Sequence, residues 1–103
     1  MLPRETYFLG ARELGRRVRR GEITSLELAE GYLHRLATLG SRLNAVVTLC
    51  GERALDEART ADRELRAGRV RGPLHGVPYG VKDLVAVPGM PTTWGAEPYR
   101  DQV

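Results

Sequence analysis

The sequence predicts an α/β fold, in which helices precede and surround two short strands. Three observations point there. Three stretches repeat apolar residues at helical spacing and are bounded by helix start or stop signals. Two short β-rich runs, at 46–50 and 77–84, interrupt that pattern. After Gly68 the composition changes abruptly: residues 68–95 hold six glycines and four prolines and few helix formers.

Residues 1–9 read as an irregular lead-in. From about Gly10 to Arg20, Leu14 and Val18 are four apart and Ala11 is three before Leu14, which predicts a short amphipathic helix. Gly15 weakens it and Gly21 can terminate it. Thr24-Ser25-Leu26-Glu27 fits a capping box, with Thr24 as N-cap and Glu27 reaching back from the third helical position. The helix after it is expected to bury Leu26, Ala29, Leu33, Leu36 and Ala37 and to end near Gly40. His34 falls beside that stripe, on a partly exposed position. Val46-Val47-Thr48-Leu49-Cys50 reads as a buried strand, with Cys50 a small apolar core residue. A third helix is expected from about Glu52 to Ala67, with Ala54, Leu55, Ala58, Ala61 and Leu65 as its apolar stripe. Asp56, Glu57, Asp62 and Glu64 belong to its solvated surface, and Gly68 is its C-terminal cap.

At 103 residues, with 42% hydrophobic and 28% charged, the chain has the bulk composition of one small soluble domain. Its single cysteine excludes an internal disulfide, and no Cys/His cluster has the spacing of a metal site. No metal and no cofactor is expected. The amino terminus lacks the pattern of a signal peptide and no run reaches transmembrane length, so a cytoplasmic setting without membrane attachment is expected. The pairs Arg16-Arg17 and Arg19-Arg20 invite a nucleic-acid reading. Without interleaved aromatics, and with Glu13 and Glu22 nearby, a solvated helix face is preferred.

Net charge is only +3, but the basic residues are lopsided. Lys and Arg together number 16, one of which is Lys82, leaving fifteen arginines. Arg is effectively never deprotonated, whereas a desolvated Lys can lose its proton near neutral pH. That one lysine falls in the Gly/Pro-rich segment. If Val77–Leu84 is a strand, Pro78, Gly80, Lys82 and Leu84 share one face, and Gly80 leaves open space beside Lys82. Two readings follow: a lysine able to accept a proton from a hydroxyl nucleophile, or an exposed strand-end lysine beside Asp83.

The run Gly72-Pro73-Leu74-His75-Gly76-Val77-Pro78-Tyr79-Gly80-Val81-Lys82-Asp83-Leu84, followed by Pro91-Thr92-Thr93-Trp94-Gly95, resembles the first catalytic block of the amidase signature family. The helices upstream and Leu43–Leu49 are similar to the family's entry region, more weakly. The resemblance implies that residues 1–103 are the amino-terminal part of an incomplete amidase signature domain. The fold implied is a fragment of an α/β domain, helices plus strands of a mixed sheet. It also implies a triad of a serine, a second serine with a cis peptide bond, and a lysine, here Lys82, acting as general base through the bridging serine. Both serines belong to a downstream Gly/Ser-rich block. Ser25 and Ser41 have no such context and take no catalytic role.

The family does not use the position of His75 catalytically, so a loop histidine is expected there. Asp83 either orients the Lys82 segment by hydrogen bonding or is a simple surface carboxylate. Thr92 and Thr93 match a family turn near the active site. Family members often follow these threonines with a small residue and Gly-Ser, whereas Trp94-Gly95-Ala96 stands here; Trp94 is expected in core or interdomain packing.

Three functions compete. One is an amidase segment, inactive alone, whose partners are a small-molecule amide substrate and the remainder of the amidase domain. A second is the amidase-type subunit of a glutamine-dependent tRNA amidotransferase, which releases ammonia from glutamine for a partner subunit. The third is a non-catalytic fragment that self-associates through exposed strand edges and apolar helix faces.

Overall fold

Hydrophobic periodicity and capping place the helices. The computed structural model describes residues 2–103, with α1 at Ala11–Arg19, α2 at Ser25–Arg35 and α3 at Gly51–Arg66. Short 3-10 turns lie at Arg4–Phe8 and Glu97–Tyr99, and a π turn at Leu36–Gly40. Both helix stops expected at glycine hold. Gly21 (φ 76°) and Gly68 (φ 80°) sit in the left-handed region. Each lets the next residue's N–H reach back five positions, Glu22 to Arg17 C=O at 2.9 Å and Arg69 to Glu64 C=O at 2.8 Å.

The Thr24 capping box forms in both directions: Thr24 Oγ1 accepts from the Glu27 N–H and Glu27 Oε1 from the Thr24 N–H, each at 3.0 Å. A further carboxylate joins it from α3. Asp62, 8% exposed, accepts from the Ser25 N–H at 2.8 Å and the Leu26 N–H at 3.0 Å. Two of the four orphan donors of α2 are thus satisfied by another helix, and the negative charge faces the positive end of the α2 dipole. Sequence periodicity assigns Asp62 to the solvated surface; its neighbours Ala58 and Ala61 carry it toward α2 instead.

The core is small. Leu14 and Val18 of α1, Ile23, and Leu28 of α2 form it, with Leu9, Tyr32, Leu65 and Val77 packed around. On α2 the buried face runs through Ser25, Leu28, Ala29 and Gly31, so it is rotated from the expected stripe. Leu28 is fully enclosed, while Leu36 is 42% exposed because the α-helix gives way to the π turn before it. There the Thr38 and Ser41 hydroxyls donate to the His34 and Ala37 carbonyls at 2.8 and 2.9 Å, a competition that loosens the helical ladder. The lead-in is ordered rather than irregular: Tyr7 meets Tyr32 edge-on at 5.1 Å, and the Tyr32 hydroxyl donates to the Tyr7 carbonyl at 3.1 Å.

The α/β expectation is overturned. No strand forms among the described residues, so there is no mixed sheet; the chain is helical with a long irregular carboxyl-terminal third. A strand exists only as one side of a ladder, and β-rich composition supplies no partner. Val46–Cys50 runs without one, leaving Val47 65% and Leu49 43% exposed, and Cys50 is only partly buried at the start of α3. In 77–84, Pro78 has no N–H to give a ladder, and Asp83 bonds to a later turn.

A turn gripped by all three helices takes the place of a sheet. The Pro73 carbonyl accepts from Arg19 Nη1 of α1 at 2.7 Å, and the Gly76 carbonyl from Ser25 Oγ of α2 at 2.7 Å. The Ala61 carbonyl of α3 accepts from His75 Nε2 at 2.8 Å. Gly15 permits the approach of α1: a Cβ there would lie 2.0 Å from the Pro73 oxygen. The radius of gyration, 14.8 Å, exceeds the value of about 13 Å for a compact domain of this length, in keeping with the thin core.

Two stability changes are expected in urea denaturation. Asp62→Ala should cost about 1–3 kcal/mol, since it leaves buried α2 donors without a partner, and Asp62→Asn less. Gly15→Ala should also destabilise, by about 1–3 kcal/mol, because the added methyl meets backbone that cannot swing aside. A neutral or stabilising Gly15→Ala would show that α1 does not lie this close to the turn.

Candidate functional site

The gripped turn sets the course of the segment that leaves it. His75 is buried, 7% exposed, and its ring is committed on both sides: Nδ1 accepts the Arg71 N–H at 3.2 Å and Nε2–H donates to the Ala61 carbonyl. This bond pair requires the Nε2–H tautomer and leaves the ring no free nitrogen for acid–base work. Beside it Arg71 holds Glu64 through Nε at 2.8 Å and Nη2 at 2.5 Å, and these bonds keep the Glu64 carboxyl below the usual carboxylate range. Gly76 (φ 80°) then turns the chain between Val18 and Ser25, where a Cβ would lie 3.1–3.2 Å from both side chains.

Beyond Val77 the chain leaves the core. Lys82 is exposed, and its carbonyl accepts the Val85 N–H at 3.0 Å, so it opens a tight turn through Asp83 and Leu84. Among the described residues its ammonium forms no ion pair. Gly80 has open space at its α-carbon, but the segment is irregular, so the strand face it was expected to share with Lys82 does not form.

Asp83 resolves between its two readings. It clasps the later turn: Oδ1 accepts the Thr93 N–H at 2.9 Å, Oδ2 accepts the Thr93 hydroxyl, and the Asp83 carbonyl accepts the Trp94 N–H at 3.2 Å. The Thr93 hydroxyl bond, then the Thr93 N–H, lower the Asp83 carboxyl from its ordinary value, with a smaller pull from the Gly95 N–H; partial desolvation opposes them. Thr92 and Thr93 are themselves buried, at 7% and 6%. Gln102 braces them, its carbonyl accepting the Thr92 N–H at 2.7 Å and its Nε2 donating to the Thr92 carbonyl at 2.9 Å. Trp94 stands in the left-handed region (φ 55°), 51% exposed, with its ring 4.8 Å from that of Tyr99; it is not a core residue of this chain.

The structure therefore joins Asp83 to Thr93 and leaves Lys82 beside them. His75 stays with the helices. Neither serine is free: Ser25 is buried and bonded to Gly76, and the Ser41 hydroxyl donates to Ala37. An open groove of about 850 Å³ between α3 and the Arg71–Gly76 turn reaches Tyr79 but is not lined by Lys82. No His/Cys/Asp/Glu group among the described residues could hold a metal ion, and no helix is long and apolar enough to cross a membrane. The residue pattern missed Asp62 and the partner of Asp83. Neither had a local signal, since both contacts join residues ten or more positions apart.

Residues 27–103 match the family model described as Amidase, and the chain belongs to the amidase family. It is 35% identical over 103 residues to an acylamidase of Rhodococcus erythropolis, covering 100% of this chain and 22% of that protein. It is 40% identical over 91 residues to the A subunit of the glutamyl-tRNA(Gln) amidotransferase of Salinispora tropica, covering 88% of this chain and 18% of the relative. The corresponding protein of Thermobifida fusca is 38% identical over 89 residues, 86% of this chain and 18% of the relative. The chain thus spans about a fifth of the length of these relatives. No solved structure matches it.

The clasp has a defined pH dependence. Asp83 is lowered in the folded chain, so its contribution is complete above the unfolded carboxylate value of about 3.9 and is lost as pH falls through the lowered folded value. Carboxyl NMR should show Asp83 titrating below the ordinary Asp value, with Thr93→Val raising its midpoint. An unchanged midpoint in Thr93→Val would rule out the hydroxyl as the main cause.

Proposed function

We propose that this chain supplies the general base of an amide-hydrolysing enzyme, with Lys82 as the residue that carries it. The observation behind the reading is the family match over residues 27–103, which contains the whole Gly72–Leu84 block. In the complete protein the Lys82 amine, unprotonated, accepts a proton from a bridging serine hydroxyl, which takes the proton of the nucleophilic serine. The nucleophile's Oγ bonds to the carbonyl carbon, the C–N bond breaks, and the proton passes to the leaving amine. Water then releases the acyl group from the serine. Arginine could not serve, because it holds its proton throughout the working range.

The chemistry needs the amine out of water, since an exposed ammonium is well solvated and poorly suited to give up a proton. In this chain Lys82 is exposed. The reading therefore assigns its covering to residues outside 1–103, along with both serines, and makes the 103-residue chain inactive by itself.

A second reading has its own support, the 40% identity to the A subunit of a glutamyl-tRNA(Gln) amidotransferase. There the amide is glutamine and the ammonia goes to a partner subunit. Both readings use the same lysine.

In the complete protein, ammonia release from simple carboxamides and from glutamine is expected, and Lys82→Ala and Lys82→Arg should each lower kcat by about 10²-fold or more. Activity retained in both variants would remove Lys82 from the mechanism. Stable co-purification with other subunits, and preference for glutamine, would select the second reading. Turnover by residues 1–103 alone that vanishes in Lys82→Ala would overturn the inactivity of the isolated chain.

A further inference from the structure

We propose that Asp83 and Thr93 are positioning residues for Lys82: Thr93 occupies both carboxylate oxygens of Asp83 and so keeps that charge from pairing with the neighbouring amine. The inference rests on the reading of Lys82 as general base. Its chemical logic is simple. A carboxylate close to an amine favours the ammonium form, which cannot accept a proton. An anion in contact with a catalytic lysine therefore works against it, and hydrogen bonds that hold the carboxylate elsewhere prevent that contact while leaving its charge in place.

The geometry supplies that holder. Oδ1 receives the Thr93 N–H and Oδ2 the Thr93 hydroxyl, while the Asp83 backbone carbonyl receives the Trp94 N–H. The three bonds fix Asp83 in orientation as well as in place, and no Lys82–Asp83 ion pair forms among the described residues. Thr93 is 6% exposed and tied at Thr92 to Gln102, so the clasp has a rigid back.

The charged groups on the elements that follow or touch this segment are engaged. The titratable side chains of segment 77–91 are Tyr79, Lys82 and Asp83, and segment 91–96 contains none. From α3, Arg53 donates Nη1 to the Pro88 carbonyl at 2.7 Å and Nε to Glu57 at 3.1 Å. From the last 3-10 turn and the residues after it, Glu97 pairs with Arg100 at 2.7 Å and Asp101 lies 4.0 Å from the same guanidinium. Asp83 is the anion adjacent to Lys82, and Thr93 is the group that holds it.

The test is the pH profile of kcat/KM in the complete protein. Thr93→Val should move the acid limb upward by about one pH unit, a loss of about tenfold below it, with activity recovering at higher pH and KM little changed. Thr93→Ser should restore the original limb, and the shift should vanish in the double variant Thr93→Val/Asp83→Asn, which no longer has a charge to release. A loss equal at every pH, or a shift that persists in the double variant, overturns the proposal. If Thr93→Val does not fold, Thr93→Ala decides: an acid limb moved to higher pH supports the proposal and an unmoved limb overturns it. Failure of the general-base reading shows separately, as full activity in Lys82→Ala.

Discussion

The close approach of the Gly72–Gly76 turn to the junction of the three helices is the constraint on which the rest of the chain depends. With so few enclosed apolar side chains, burial alone is a weak tether for a segment of this glycine and proline content. Polar contacts from Arg19, Ser25 and His75 supply the remainder, one from each helix or the turn itself. Hydrogen bonds of this kind contribute about 0.5–1.5 kcal/mol each net, but leaving a buried partner unpaired costs more. The arrangement is therefore more sensitive to a missing partner than its total strength suggests. Asp62 belongs to the same system: by tying α3 to the start of α2 it sets where Ser25 presents its hydroxyl.

Local features were legible in the sequence because local physics decides them. The Thr24–Glu27 box and the glycine stops at 21 and 68 depend on a few consecutive residues, and the structure forms all three. The strands were not legible, because β-rich runs such as Val46–Cys50 report suitability for a ladder and say nothing of whether a partner is present. Leu28 was missed because a helix's apolar stripe can be drawn along more than one line, and only the neighbour, here Leu14 and Val18, selects among them. Asp62 was misassigned to the surface, and Asp83 left open, for a further reason. A carboxylate's partners are set by tertiary placement, and both found backbone N–H groups many residues away.

Burial is uneven along the chain. The helices and the turn account for the buried apolar residues, while the segment after Val77 leaves Val81, Leu84, Val85 and Trp94 exposed. Thr92 and Thr93 are buried there, but its order comes from hydrogen bonds and one ring contact rather than from an apolar core: Asp83 to Thr93, Thr92 to Gln102, Trp94 against Tyr99. A polar clasp of this kind can preserve a local shape without an apolar cover.

The anchors of the gripped turn at Pro73 and Gly76 are main-chain carbonyls. Every residue has one, so the path of the backbone there is specified elsewhere, by Arg19 and Ser25, and by the missing side chain at Gly15. An alanine scan across the exposed Pro73 and Leu74 would thus find little, and would misplace the information that shapes the turn. That information is written on α1 and α2, more than fifty positions upstream.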